Sequence, residues 1–163
     1  SKSEKGLMDA FAGESQANRK YLAFAEQADK EGYAQVAKLF RAAAAAETIH
    51  AHAHLRAANG VGSTEANLQA AIEGETYEFT DMYPAMIDDA KAEGLAVAER
   101  SFTFANEVEK IHAALYQKAA QNLGSNEDVD YYICPVCGNT VEGEPDGPCA
   151  ICGVMASMFK KVE

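Results

Sequence analysis

The sequence predicts an all-α four-helix bundle followed by a small cysteine-rich domain. Two observations indicate this fold class. Between residues 4 and 122, apolar residues recur at helical spacing in four stretches of about 26 residues each. All four cysteines lie within the last 30 residues of the 163-residue chain. The predicted domains are therefore residues 1–125 and residues 126–163.

The four helices are expected to form two antiparallel hairpins, because glycine stops at Gly32 and Gly94 leave very short connections. Pro84 lacks an amide hydrogen and predicts a bend within the third helix. The connection between the hairpins, near residues 59–65, is too short to run along a helix of about 40 Å. This leaves open an up-down-up-down bundle within one chain or an exchange of hairpins between two chains. The predicted helices cover residues 4–30, 33–58, 65–92 and 95–122.

A repeated motif indicates that one hairpin was duplicated. Glu47-Thr48-Ile49-His50 recurs 62 residues later as Glu109-Lys110-Ile111-His112. On a helix, the glutamate and the histidine of such a motif point from the same face. Two of these motifs, with one glutamate from each of two further helices, are the ligand pattern of a di-iron or di-manganese carboxylate bundle.

The two remaining helices each offer a glutamate at the required level. Glu14 and Glu75 precede the motif glutamates of their hairpins by 33 and 34 residues, which aligns each pair across its turn. Glu78 lies one helical turn after Glu75, whereas Ala17 occupies the corresponding place after Glu14. We therefore expect an asymmetric site, in which Glu78 and His50 exchange as ligands of one metal. A lone glutamate on a helix usually faces solvent, but the repeated spacing favours a metal site, with zinc or manganese as alternatives to iron.

Tyr21 and Tyr83 follow these glutamates by seven and eight residues, two turns along the helix. Two interpretations are equally consistent with this spacing. Each hydroxyl either donates to a ligand carboxylate or belongs to an ordinary core aromatic residue.

The four cysteines form two C-x-x-C-G motifs, separated by 11 residues. This pattern is typical of a tetrahedral four-thiolate metal site, with zinc for a structural role or iron for one-electron transfer. So few residues bury little apolar surface, so the metal is expected to hold the segment together. Its small core is predicted to comprise Tyr132, Ile133, Val141, Ile151 and Phe159, and its ligands are Cys134, Cys137, Cys149 and Cys152.

Composition excludes several classes of function. The net charge of −11 disfavours nucleic acid as a partner, because phosphates would be repelled. No apolar run approaches the length of a membrane span, and no secretory signal is evident. We therefore expect a cytoplasmic protein without a membrane partner, in which paired cysteines bind metal and form no disulfides.

The chain resembles the rubrerythrin family over nearly its whole length. The resemblance implies a ferritin-like di-iron bundle followed by a rubredoxin-like domain with a mononuclear iron. It also implies a homodimeric non-haem peroxidase that reduces hydrogen peroxide to water in oxidative-stress defence, with the rubredoxin-like iron of one subunit feeding the di-iron site of another. The motifs that carry it are Ala12-Gly13-Glu14-Ser15, Glu47-x-x-His50, Glu75-x-x-Glu78, Met82-Tyr83-Pro84, Glu109-x-x-His112 and the two cysteine motifs.

By position, the resemblance implies individual roles for the ligands. Glu14 would be a terminal ligand of the first iron, Glu47 and Glu109 would bridge the irons, and Glu75 and His112 would complete the second iron. Glu78 and His50 would be the ligands exchanged with oxidation state.

Two features depart from the family pattern. Ala150 stands where the second cysteine motif often has proline, and the connection near residues 59–65 is shorter than the usual crossover. The first departure should alter local rigidity without loss of metal.

The external electron donor is expected to be a separate protein, such as a rubredoxin or its NAD(P)H-dependent reductase, because the chain has no glycine-rich nucleotide motif. Two other functions stay open at this point. One is a ferroxidase or iron-storage protein, and the other is a zinc-ribbon adaptor on a metal-binding bundle.

Overall fold

The computed structural model describes all 163 residues. The chain forms two compact units, Ser1–Gly62 and Ser63–Glu163. The first unit is a helical hairpin of α1 (Lys2–Lys30) and α2 (Ala34–Ala57). The Ser1 side chain accepts from the Glu4 amide in a capping box that starts α1. Gly32 adopts φ 84° in the turn, a left-handed conformation that glycine tolerates best.

Small side chains let α1 and α2 pack closely. Ala25, Ala28 and Ala37 are almost fully buried and pack with Phe40. Further along the hairpin, the Asn18 amide donates to the Ala44 carbonyl at 2.8 Å and to the Thr48 hydroxyl at 2.9 Å. These bonds fix the register of the two helices beside the first Glu-x-x-His motif.

The second unit begins with a helical segment that has one irregular turn. The Ser63 side chain accepts a hydrogen bond from the Ala66 amide and caps the first helix of this unit. The helices are α3 (Thr64–Tyr77), α4 (Tyr83–Glu93) and α5 (Ala96–Gln121), and a π-helical turn (Glu78–Met82) joins α3 to α4. The single bent helix predicted over residues 65–92 is therefore divided, and the irregularity starts six residues before Pro84.

The π turn inserts one residue into the helix. The Tyr83 amide donates to the Glu78 carbonyl, an i to i+5 bond in place of the α-helical i to i+4 bond. Pro84 has no amide hydrogen and crowds the preceding turn, which favours such a rearrangement. The Thr80 hydroxyl donates to the Thr76 carbonyl at 2.7 Å and so satisfies an acceptor within the altered turn.

The cysteine-containing segment forms a small antiparallel sheet of three strands, β1 (Tyr131–Ile133), β2 (Thr140–Glu142) and β3 (Lys160–Lys161). The order of the strands in the sheet is β2-β1-β3. The residues predicted as its core are only half-buried, whereas Cys134, Cys149 and Asn139 are buried. Two cysteines and one asparagine are thus the most buried side chains of this segment. The domain boundary predicted between residues 125 and 126 lies between α5 and β1, within the second unit. This boundary remains a prediction.

The sheet packs against α5 of its own unit. Lys118 of α5 forms an ion pair with Glu142 of β2 at 2.7 Å. The buried Val108 side chain lies against Gly138, in the first cysteine motif. None of the helices combines the length and the apolar character that crossing a membrane requires.

Candidate metal centres

The first unit brings three of the predicted ligands together. Glu14 of α1 joins Glu47 and His50 of α2, and their ligand atoms all lie within 4.8 Å of one another. Nδ1 of His50 lies 3.2 Å from Oε2 of Glu47 and 3.8 Å from Oε2 of Glu14. The helical spacing therefore places one imidazole between two carboxylates from neighbouring helices.

The second unit contains an equivalent cluster. Glu75 of α3 joins Glu109 and His112 of α5, again with all ligand atoms within 4.8 Å. Nδ1 of His112 lies 3.4 Å from Oε1 of Glu75 and 3.2 Å from Oε2 of Glu109. The sequence repeat thus corresponds to two geometrically similar ligand clusters, one in each hairpin.

Glu78 stands beside the second cluster and outside its closest group. Burial, followed by the negative charge of Glu109, raises the pKa of the Glu78 carboxyl. Burial, together with Glu109 and then Glu78, raises the pKa of Glu75 to about 8. Several carboxylates are thus crowded together at this cluster.

This second cluster fits a divalent metal on two grounds. Oε2 of Glu75 is buried and has no hydrogen-bond partner in the protein, although such an atom normally requires one. A metal ion would satisfy this oxygen and lower the repulsion among the carboxylates. Carboxylate oxygens with imidazole nitrogens are suitable ligands for iron, manganese or zinc.

Thr140 is a contact of this cluster that the sequence did not reveal. Nε2 of His112 lies 2.8 Å from the Thr140 hydroxyl, which itself donates to the Gly138 carbonyl at 3.1 Å. Because the hydroxyl has one hydrogen and uses it on Gly138, it accepts from the Nε2 hydrogen of His112. Nε2 of His112 is thus directed at Thr140, and Nδ1 is the ring nitrogen that faces the carboxylates.

The two tyrosines differ in their surroundings. Tyr21 packs with Phe24 and Phe40, which fits the core interpretation. Burial and then the charges of Glu78, Glu109 and Glu75 raise the pKa of Tyr83, so its hydroxyl lies within the field of the second cluster. Neither hydroxyl makes a hydrogen bond to a carboxylate, so a direct role in holding the ligands stays a prediction.

The four cysteines converge on one point. Their sulfur atoms all lie within 4.8 Å of one another, and none forms a disulfide. Two of the sulfur pairs, Cys134 with Cys152 and Cys137 with Cys149, are 3.5 Å apart. A tetrahedron with metal–sulfur bonds of about 2.3 Å has edges of about 3.8 Å, so the arrangement fits a four-thiolate metal site.

Both cysteine motifs fold into the same turn. The Gly138 amide donates to the Cys134 carbonyl, and the Gly153 amide donates to the Cys149 carbonyl, each at 2.9 Å. Ala150 lies in the second turn where proline is frequent. The equal hydrogen-bond lengths show that the turn is closed in both motifs, and the effect of Ala150 on local rigidity stays a prediction.

Comparisons with known proteins agree with a di-iron carboxylate protein that carries a four-cysteine iron. The sequence model of the rubrerythrin family matches residues 5–120. Rubrerythrin-2 of Clostridium acetobutylicum is 39% identical, covering 94% of this chain and 93% of its own length. Nigerythrin of Nitratidesulfovibrio vulgaris is 38% identical, covering 91% of this chain and 80% of its own. The chain belongs to the rubrerythrin family.

Solved structures show the same fold. Nigerythrin in a mixed-valence state superposes with a TM-score of 0.60 at 36% identity, covering 98% of this chain and 86% of that one. Nigerythrin in its fully reduced, all-ferrous state gives 0.61 at 35% identity over the same shares.

These comparisons confirm the predicted fold class, a ferritin-like four-helix bundle followed by a small rubredoxin-like domain. They also confirm the cofactors, which are two non-haem irons at a carboxylate and histidine site and one iron at the four cysteines. The chain is accordingly an oxidoreductase of the rubrerythrin family.

Proposed function

We propose that this protein is a peroxidase that reduces hydrogen peroxide to water, with two electrons and two protons consumed for each peroxide. The observation that supports it most is the link from His112 through Thr140 to Gly138, which follows Cys137 directly. It joins a cluster suited to two-electron chemistry with a site suited to supplying electrons singly. A storage protein has no use for such a link.

The proposed ligands are the three side chains of each cluster, which would be the two half-sites of one di-iron site, together with Glu78. When bound, two ferrous irons would supply two electrons for O–O cleavage and positive charge for the product oxygens. In this proposal Glu47 and Glu109 would hold both metals, Glu14 would hold the first, and Glu75 and His112 would hold the second. Glu78 and His50 alternate on the first metal, because a carboxylate better offsets the higher charge of ferric iron.

The chain also offers groups for proton delivery. Tyr83 lies in the field of the carboxylates, and the Glu78 carboxyl adjoins Glu75. Either group could donate a proton to an oxygen held at the cluster. We propose these two as the acid groups of the reaction.

We further propose that the active form is a homodimer whose subunits exchange hairpins. The connection between α2 and α3 has six residues, which reach about 22 Å, whereas the 24 residues of α2 extend about 36 Å. A ferritin-like topology requires a connection along the length of the bundle. A second chain would then supply the missing half-site, and electrons would come from a separate cytoplasmic rubredoxin or reductase.

Anaerobic stopped-flow spectroscopy tests the reaction. The reduced, iron-loaded protein should be oxidised by stoichiometric peroxide faster than by dioxygen, with both iron chromophores returning to the ferric state. A variant without the bridging ligand, Glu109→Ala, should retain the four-cysteine absorption and lose the fast phase. Faster oxidation by dioxygen, with growth of an iron core, would instead identify a ferroxidase. Zinc in the cysteine site after iron-replete anaerobic expression would support the adaptor alternative.

A further inference from the structure

The two cysteine motifs are related by a local pseudo-twofold symmetry in their backbone. The Cys134 amide donates to the Asn139 carbonyl, and the Cys149 amide donates to the Val154 carbonyl, each at 2.8 Å. Asn139 and Val154 therefore occupy corresponding places, two residues after the second cysteine of each motif. Any difference between the two halves must come from side chains.

Asn139 breaks this symmetry. Its side chain is 3% exposed, and its amide nitrogen lies 3.6 Å from the sulfur of Cys149, in the other motif. The Val154 side chain has no donor and offers no corresponding bond to the first motif. The asparagine thus adds one hydrogen bond to the four-thiolate site that the symmetric backbone does not provide.

The rest of the Asn139 side chain indicates that this bond has a function. Its Oδ1 atom is buried and has no partner in the protein. An unsatisfied buried polar atom destabilises a fold, so an apolar residue such as valine would suit this place better for stability alone. Rotating the amide would turn the oxygen toward the sulfur, and a thiolate would repel it. A thiolate at Cys149 therefore selects the observed orientation.

We propose that Asn139 raises the reduction potential of the four-cysteine iron through its N–H···S bond to Cys149. One-electron reduction adds a negative charge to the iron and its thiolates without any proton. A donor directed at one sulfur stabilises the reduced state more than the oxidised state, most strongly where the site is shielded from water. Asn139 is thus a positioning residue for electron entry, acting through Cys149.

Redox titration of the iron-loaded full chain, followed by its visible absorption, tests the proposal. Asn139→Val makes the two motifs alike and should shift the potential to more negative values. The matched variant Val154→Ala, which changes neither donor nor acceptor, should leave the potential unchanged. An unchanged potential in an Asn139→Val protein with normal iron absorption would overturn the proposal.

A second measurement applies even if the Asn139→Val variant fails to bind iron. The wild-type chain loaded with cadmium-113 should show a scalar coupling between the metal and the Asn139 side-chain amide protons, transmitted through the hydrogen bond. The backbone amides of Asn139 and Val154, which donate to the sulfurs of Cys137 and Cys152, provide the internal positive control. Coupling to these backbone amides without coupling to the Asn139 side chain would also overturn the proposal.

Discussion

At the scale of single residues, two histidines with the same motif have different surroundings. His112 is anchored on both sides of its ring, by carboxylates at Nδ1 and by the Thr140 hydroxyl at Nε2. His50 has only the carboxylates of its own hairpin, and its side chain is 55% exposed. This difference supports the proposal that His112 is a permanent ligand and that His50 binds in one oxidation state only.

Replacing Thr140 with valine tests this anchoring. Thr140→Val keeps the volume but removes the acceptor for Nε2 of His112, so either tautomer becomes accessible. We expect iron affinity at the carboxylate site to fall by about 10-fold to 100-fold, as is usual when a partner of a metal ligand is lost. Competitive metal titration measures this effect, and the four-cysteine absorption should be unchanged.

The control for this substitution is Thr103→Val, because Thr103 is exposed on α5 and makes no side-chain hydrogen bond. If the two variants had equal affinities for iron, Thr140 would have no role in holding His112.

At the scale of secondary structure, the π turn explains a small mismatch within the repeat. Tyr21 follows Glu14 by seven residues, whereas Tyr83 follows Glu75 by eight. The extra residue is accommodated by the i to i+5 bond from Tyr83 to Glu78. Glu78 begins this turn, so the extra carboxylate lies where the helix is least regular, a common location for functional residues.

Removing the Glu78 carboxylate tests its proposed role. Glu78→Ala should keep the helical content and bind iron, because the ligands of the two compact clusters are intact. Peroxide turnover should fall by about 10-fold or more, since the higher charge of the oxidised site would lack its carboxylate. Steady-state assays with a reducing partner would measure the effect.

Glu73→Ala supplies the matched comparison. Glu73 is an exposed glutamate of α3, the helix that leads into the π turn, and it lies outside the cluster. Turnover of Glu78→Ala at the level of Glu73→Ala would remove the ligand-exchange proposal.

At the scale of the whole molecule, the question is which chains contribute to one di-iron site. Each hairpin holds one half-site of two carboxylates and one histidine. The six-residue connection after α2 favours pairing each hairpin with a hairpin of another chain. Exchange would make the metal site depend on dimerisation.

Mixed dimers test the exchange. One chain carries Glu47→Ala with His50→Ala, and the other carries Glu109→Ala with His112→Ala. With exchanged hairpins, both defects fall in one site and the second site is intact, so a mixed dimer should bind iron at one of its two carboxylate sites. Without exchange, every site is defective.

Iron content and the di-iron absorption of doubly tagged, purified mixed dimers give the result. Each homodimer is the control, since it lacks an intact site in either arrangement. Mixed dimers without any di-iron site would refute the exchange.

Much of the protein was readable from local sequence patterns. Ligands on one helix face follow from the three-residue spacing of Glu-x-x-His, and a four-thiolate site follows from two C-x-x-C-G motifs. Both patterns depend on backbone geometry within a single turn, so folding elsewhere hardly alters them. The extra residue between Glu75 and Tyr83 was also visible in the sequence. Whether a helix accommodates such a residue by a π turn depends on competing hydrogen-bond patterns, which the sequence does not show.

The contacts of Thr140 and Asn139 depended on the folding of separate segments. Thr140 meets His112 across 28 residues, because the small sheet packs on α5. Asn139 reaches Cys149 across 10 residues, because two turns close around one point. Neither residue type is a usual ligand of iron or zinc, and neither spacing is periodic, so their sequence positions carry no signal. Their effects arise only when folding places a hydroxyl or an amide next to a ligand and shields the pair from water.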